Sequence, residues 1–146
     1  MSAATIGSDT GGSTRAPAVF CGIVGLKPTT TRMPSDGIYP LSTSFDAAGP
    51  MGHSTDCCAV MDDIMAGGAG RAETPFPVAG LRLAIPRGYL FDELDPEVAA
   101  GFEAAVARLS AAGAAISDIS LDILEELRPA NRPKLSLIHI SEPTRL

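Results

Sequence analysis

The segment from Gly7 to Arg15, GSDTGGSTR, is the feature that most constrains how this chain folds. Two adjacent glycines precede Ser13, and residues without a Cβ allow tight backbone turns that other residues resist. The short apolar stretch before the motif, Ala3 to Gly7, predicts a strand, and Pro17 is tolerated only in the first turn of a helix. The segment therefore predicts a strand, a glycine loop and a helix that starts near Ser13, with the serine at the carboxyl end of the strand, where α/β proteins bind ligands.

The same loop suits Ser13 to nucleophilic chemistry. A serine hydroxyl attacks a carbonyl efficiently only when a base takes its proton and nearby donors stabilise the oxyanion. Gly11 and Gly12 leave room for a substrate carbonyl, and the backbone N–H groups of such a loop can converge on its oxygen. A phosphate-binding loop would need a lysine directly after the last glycine, and an α/β-hydrolase elbow would need a glycine in place of Arg15. A purely structural glycine-rich turn is the remaining alternative.

The wider pattern resembles the serine-containing core of the amidase signature family, which hydrolyses carboxamides. The matching residues beyond the motif are Pro17, Cys21, Gly22 and the GLKPT run at 25–29. The resemblance implies that Ser13 forms an acyl-enzyme while backbone N–H groups hold the oxyanion, those of Thr10, Gly11, Gly12 and Ser13. It also implies that Asp9 and Arg15 brace the loop through hydrogen bonds and charge. Thr14 stands where the family often has isoleucine.

The resemblance further implies a proton relay that runs from a lysine through a second serine, held in a cis peptide, to the nucleophile. Both relay residues belong upstream of the motif, and this chain begins six residues before Gly7. Lys27 lies in the GLKPT run, where the resemblance implies a scaffold role. We therefore expect the chain as it stands to be catalytically inactive, and a non-functional fragment of a truncated gene is one alternative.

The carboxyl-terminal residues are expected to be foreign to the protein. Residues 135–145, LSLIHISEPTR, resemble the translation of a transposase adapter used in preparing DNA sequencing libraries. We assign 135–146 to adapter read-through and 1–134 to a partial amidase signature domain. The alternative is that LSLIHI forms a strand buried on both faces.

Composition indicates a piece of a soluble enzyme. The formal net charge is −6, so no basic surface for nucleic acid is expected, and no apolar run is long enough to cross a membrane. The sequence shows no signal peptide, and its three cysteines form no disulfide framework, which favours a cytoplasmic location. Cys21, in an apolar stretch, is predicted to be buried. No metal or other cofactor is expected.

The residues after the motif predict alternating loops and regular elements. A buried strand is expected near Ile23 to Leu26, a long surface connection over Thr29 to Ser44, and a short run resembling the family's over Phe45 to Met51. Ser54 is a good cap for the helix that follows. We predict that its apolar face carries Cys57, Val60, Met61 and Ile64. Ala69 to Gly80 is a linker or exposed loop and the one plausible internal boundary.

The final third of the chain predicts a strand, a helix and a second strand. Leu81 to Pro86 alternates apolar and other residues, Asp95 and Pro96 open a helix that stops near Gly113, and Ala115 to Leu121 is a further strand. This order is typical of a crossover between parallel strands. The expected fold class is α/β, a mixed sheet flanked by helices, and the resemblance makes it a middle slice of a larger amidase signature domain.

Two functions follow from the resemblance. The first is hydrolysis of a carboxamide to a carboxylate and ammonia or an amine, with a small-molecule amide as substrate and a parent enzyme that can form a homodimer. The second is the glutaminase subunit of a transfer-RNA-dependent amidotransferase, for which nucleic acid would be a partner. The connection that contains TRMPSDGIYPLS resembles the stand-alone amidases more closely and favours the first.

Overall fold

The computed structural model describes residues 2–70 and 75–127, and the chain divides into two compact units, Met1–Pro75 and Phe76–Leu146. Both units combine strands with helices, which confirms the predicted α/β class. The first unit contains, in order, β1 (Ala4–Asp9), α1 (Arg15–Phe20), β2 (Val24–Gly25), β3 (Ala47–Gly52) and α2 (Thr55–Met65). The second contains β4 (Arg82–Pro86), a 3-10 turn (Tyr89–Phe91), α3 (Pro96–Ala111), β5 (Ala115–Ile119) and α4 (Asp122–Leu127). The expected adapter residues 135–146 lie outside the described residues.

The sheet of the first unit is antiparallel and has the order β1-β3-β2. β1 pairs with β3 along its whole length, from Ala4 opposite Gly52 to Asp9 opposite Ala47. β2 is only two residues long and pairs with the far end of β3, where Val24 lies opposite Gly52. The pairing places the end of β1, and therefore the glycine loop, beside the start of β3.

The sequence did not predict the central strand β3, in whose AAGPMG run Gly49 stands next to Pro50, two residue types that are depleted in strands. Both residues are tolerated here for local reasons. The carbonyl of Pro50 accepts from Leu26 N at 3.0 Å, on the β2 side of the strand. Proline has no N–H to donate, and in an antiparallel strand this N–H would point to the same side as the Pro50 carbonyl, towards β2. Pro50 lies beyond the last β2 pair, Gly25 opposite Met51, so its missing N–H removes no hydrogen bond from the ladder.

Gly49 is required by a close approach of two backbones. A Cβ at Gly49 would lie 2.0 Å from the carbonyl oxygen of Leu26 and 3.1 Å from Pro28 Cδ. The chain that leaves β2 thus crosses directly over β3.

The helices of the first unit differ from expectation in the faces they bury. α1 buries Ala18 but leaves Phe20 and the following Cys21 exposed, so the prediction that Cys21 is buried is wrong. Ser54 caps α2 as predicted, its hydroxyl accepting from Cys57 N at 3.2 Å. The predicted inner face of α2 is wrong in part. Val60 and Met61 are half-buried, but Cys57 and Ile64 are exposed, and Cys58 and Asp62 are buried instead.

The inward face of α2 carries a buried charge, Asp62. Nε of Arg32, in the long connection before β3, donates to Asp62 Oδ2 at 2.7 Å, and its Nη2 lies 2.6 Å from the same oxygen. Asp62 therefore faces inward, although an acidic side chain would be assigned to solvent from sequence. Cys58, one turn earlier on the helix, packs inward on the same side and donates to the carbonyl of Val24 at 3.4 Å.

The second unit confirms the predicted crossover. β4 and β5 pair in parallel, from Arg82 opposite Ala115 to Pro86 opposite Ile119. Asp95 caps α3 by accepting from Glu97 N at 2.8 Å, and Gly113 follows the end of the helix with a φ of +95°. No helix among residues 2–70 and 75–127 has the length and hydropathy needed to cross a bilayer.

We predict that Gly49→Ala destabilises the first unit by about 3 kcal/mol or more, because its methyl group would lie 2.0 Å from a backbone oxygen that cannot rotate away. Gly11→Ala is the matched control, since nothing lies within 4 Å of its Cβ position. Urea denaturation of both variants measures the difference. Equal stability of the two variants would contradict the close approach.

Candidate active site

The glycine loop occupies the space between the end of β1 at Asp9 and the start of α1 at Arg15. Gly12 has a φ of +132°, a value that side-chain-bearing residues rarely adopt, so the turn before Ser13 requires glycine. Ser13 is exposed, whereas Thr14, the residue that caps α1, is buried. The Ser13 side chain therefore points to solvent from a loop whose next residue is buried. The helix α1 begins at Arg15, two residues later than expected.

Asp9 provides that support. Its side chain is fully buried and accepts backbone hydrogen bonds from Gly12 N at 2.7 Å, Thr14 N at 3.2 Å and Arg15 N at 3.4 Å. The Arg15 guanidinium adds two more, Nε to Oδ2 at 3.1 Å and Nη2 to Oδ1 at 3.2 Å. The structure therefore brings Asp9 and Arg15 together, and a bidentate pair of this kind sets the orientation of both groups.

The ionisation of Asp9 reflects this environment. Burial by itself would raise the pKa, but the hydrogen bonds from Arg15 and from the amides of Gly12, Thr14 and Arg15 outweigh it and lower the pKa from 3.8 to about 2. Asp9 is thus a carboxylate at neutral pH. The hydrogen bonds from three loop amides to the Asp9 carboxylate offset the free-energy cost of burying its charge.

One of the four amides expected to hold an oxyanion already has a hydrogen-bond acceptor within the loop. Gly12 N–H donates to Asp9 and is not available to a substrate. Within residues 2–70 and 75–127, the amides of Thr10, Gly11 and Ser13 have no acceptor. The loop amides without an acceptor among the described residues are therefore those of Thr10, Gly11 and Ser13, whereas Gly12 N–H is engaged with Asp9. The two glycines differ in role, since Gly12 shapes the turn and Gly11 leaves open space.

A residue absent from the expected site contacts the loop as well. The Thr10 hydroxyl donates to Asp46 Oδ1, while Asp46 Oδ2 accepts from Leu41 N at 2.8 Å and Ser42 N at 2.9 Å. Asp46 lies 36 residues from Thr10 in sequence. Its sequence signal is its place in the run from Phe45 to Met51 that resembles the family's, a resemblance that gave Asp46 no role.

Among the described residues, no hydrogen bond or ion pair joins Lys27 to Ser13. Lys27 Nζ donates to the carbonyl of Pro28 at 3.4 Å. In the part of the chain that the structure describes, no three His, Cys, Asp or Glu side chains cluster so as to hold a metal ion.

Comparison with known proteins places the chain in a family. The family model described as Amidase matches residues 1–135, so the chain belongs to the amidase family. It is 40% identical over 134 residues to a glutamyl-tRNA(Gln) amidotransferase subunit of Acidobacterium capsulatum, covering 83% of this chain and 28% of that protein. It is 37% identical over 122 residues to indoleacetamide hydrolase of Agrobacterium vitis, covering 84% of this chain and 26% of that protein.

Solved structures give the same family. A crystallised amidase superposes with a TM-score of 0.70 at 36% identity, covering 81% of this chain and 26% of the amidase. The peptide amidase of Stenotrophomonas maltophilia superposes with a TM-score of 0.69 at 29% identity, covering 82% of this chain and 28% of the peptide amidase. The chain thus spans little more than a quarter of the length of these relatives.

We predict that Asp9→Asn lowers the free energy of unfolding at pH 7 by about 2 kcal/mol or more, because the charge that holds the loop amides is lost. Since the folded pKa is about 2 and the unfolded value is 3.8, the Asp9 contribution is complete above about pH 4 and declines towards pH 2. Urea denaturation from pH 7 down to pH 2 measures it. A gap between wild type and variant that fails to narrow below pH 4 would contradict the assignment.

We also predict that Thr14→Val stabilises the protein by about 1 kcal/mol, because the buried Thr14 Oγ1 has no hydrogen-bond partner among the described residues. Thr14→Ser is the control, and it should destabilise by about 1 kcal/mol, since it keeps the hydroxyl and loses a packed methyl group. Thermal unfolding of both variants measures the two shifts. A destabilised Thr14→Val variant would show that this hydroxyl is satisfied.

Proposed function

We propose that this chain carries the nucleophile loop of an amide-hydrolysing enzyme, with Ser13 as the nucleophile. The observation that carries the proposal is the exposed Ser13 beside three amides that have no acceptor among the described residues, on a loop held by the buried Asp9. Membership of the amidase family and the 37% identity to an indoleacetamide hydrolase support amide chemistry.

In the proposed reaction, Ser13 Oγ attacks the amide carbonyl and its proton passes to a base. The carbonyl oxygen becomes an oxyanion, and the N–H groups of Thr10, Gly11 and Ser13 stabilise it by donating hydrogen bonds. The C–N bond then breaks, ammonia or an amine leaves with a proton, and water hydrolyses the acyl-enzyme to a carboxylate. Gly12 N–H contributes indirectly, because its bond to Asp9 holds the turn in shape.

The base in this step is assigned to the lysine and second serine that the resemblance implies. Lys27 is not assigned to it, because its Nζ donates to the backbone carbonyl of Pro28 at 3.4 Å.

A second candidate function is that of an amidotransferase component, in which ammonia released at Ser13 is passed to a partner protein. The 40% identity to a glutamyl-tRNA(Gln) amidotransferase subunit favours it. It uses the same acylation step and differs only in the fate of the ammonia. Copurification of the complete protein with transfer RNA and a second polypeptide, together with amidation of charged transfer RNA, would place it first.

The first test is Ser13→Ala in the full-length enzyme. We expect kcat to fall on the order of 10⁴-fold or more, because the acyl-enzyme cannot form. A fluorophosphonate probe should label wild type at Ser13 and should not label the variant. Ser8→Ala is the matched control, since Ser8 is also exposed and precedes the buried Asp9 on β1. A variant that keeps turnover while the probe labels another residue would overturn the assignment of Ser13.

A further inference from the structure

Asp46 occupies the point at which the β1-β3 ladder ends. The last backbone pair is Asp9 opposite Ala47, so Thr10 and Asp46 are the next residues in the same register. Their side chains continue the pairing where the backbones stop, with the Thr10 hydroxyl donating to Asp46 Oδ1. The link joins the first residue of the glycine loop to the start of the central strand.

The same carboxylate closes a turn on its other side. Asp46 Oδ2 accepts from Leu41 N and Ser42 N at 2.8 and 2.9 Å, while the amides of Phe45 and Asp46 donate to Ser42 O at 3.1 and 2.9 Å. Residues 41–46 therefore form a compact turn with Asp46 at its base. The hydrogen bonds from Thr10 and from the Ser42 and Leu41 amides lower the pKa of Asp46, which keeps it a carboxylate.

The two carboxylates hold different parts of the loop. Asp9 accepts from amides that follow Gly11, namely those of Gly12, Thr14 and Arg15. Asp46 holds Thr10, which precedes Gly11. The amides of Thr10 and Gly11 thus lie in a stretch that Asp46 fixes at one end and Asp9 at the other. Without the Thr10 link, the Thr10–Gly11 peptide would depend on Asp9 alone for its orientation.

We propose that Asp46 is a positioning residue for amide hydrolysis, which through the Thr10 hydroxyl aims the Thr10 and Gly11 N–H groups at the oxyanion. This inference rests on the proposed function of the loop. Oxyanion donors act only when they are held at the position that the charge will occupy, so a small displacement costs rate more than substrate affinity. Asp46 itself does not touch the substrate.

The test compares Thr10→Val, Asp46→Ala and the double variant in the full-length enzyme. Each single variant should lower kcat by about 10- to 100-fold with KM changed less than about threefold. The double variant should be no more than about threefold worse than the poorer single variant, because both substitutions break one link. Thr10→Ser keeps the hydroxyl and should restore most of kcat. Asp36→Ala, an exposed carboxylate in the same connection, is the matched control and should leave kcat unchanged.

A second readout separates positioning from general support of the fold. A boronic acid that forms a tetrahedral adduct with a nucleophilic serine should bind the Thr10→Val and Asp46→Ala variants more weakly in proportion to their loss of kcat/KM. Affinity for the amide itself should stay within about threefold. If Ser13→Ala abolishes turnover but Thr10→Val retains wild-type kcat and inhibitor affinity, this inference fails and the proposed function stands. If Ser13→Ala keeps turnover, both fail. Additive losses in the double variant, or losses confined to KM, would also overturn the role of Asp46.

Discussion

The buried carboxylate of Asp9 is the interaction on which the geometry of the site depends. It lies at the last position of β1 and gathers three amides of the following loop together with the Arg15 guanidinium. A charge that has lost its water must find donors within the protein, and the loop supplies them only in one shape. That shape places Gly12 at a φ of +132° and turns Ser13 outward. The low pKa of Asp9 and the exposure of Ser13 thus have one cause.

The central strand β3 connects this loop to the rest of the first unit. Asp46, the residue before the first residue of β3, extends the pairing onto Thr10 through its side chain. In the middle of β3, the backbone at Leu26 approaches so closely that only a glycine fits at position 49. The far end of β3 pairs with β2, and α2 follows directly. A strand of small residues is suited to this position, because three segments of chain approach it within van der Waals distance. The loop is therefore positioned by backbone pairing and two carboxylates, while large apolar side chains contribute little to the first unit's core.

Several elements could be predicted from sequence because their signals are local. Ser54 and Asp95 cap their helices through hydrogen bonds to amides two or three residues away, and Gly113 ends α3 through its own backbone freedom. The alternation in Leu81 to Pro86 likewise identified β4. By contrast, β3 was missed and the buried face of α2 was assigned wrongly in part, since Cys58 and Asp62 are buried where Cys57 and Ile64 were expected. The first depends on partners far away in the chain, and the second on an ion pair between Arg32 and Asp62 that no periodicity reveals.

The sequence by itself determined the family, the position of the exposed serine and the need for glycine before it, because a short motif encodes these through backbone freedom and chemistry at neighbouring residues. Only the tertiary structure decided which loop amides stay open and which residue holds the start of the loop. Gly12 N–H is engaged because the Asp9 side chain folds back over it, and Asp46 reaches Thr10, 36 residues away in sequence, because β1 ends beside the start of β3. Such contacts depend on how distant segments pair, and pairing is a property of the folded chain as a whole.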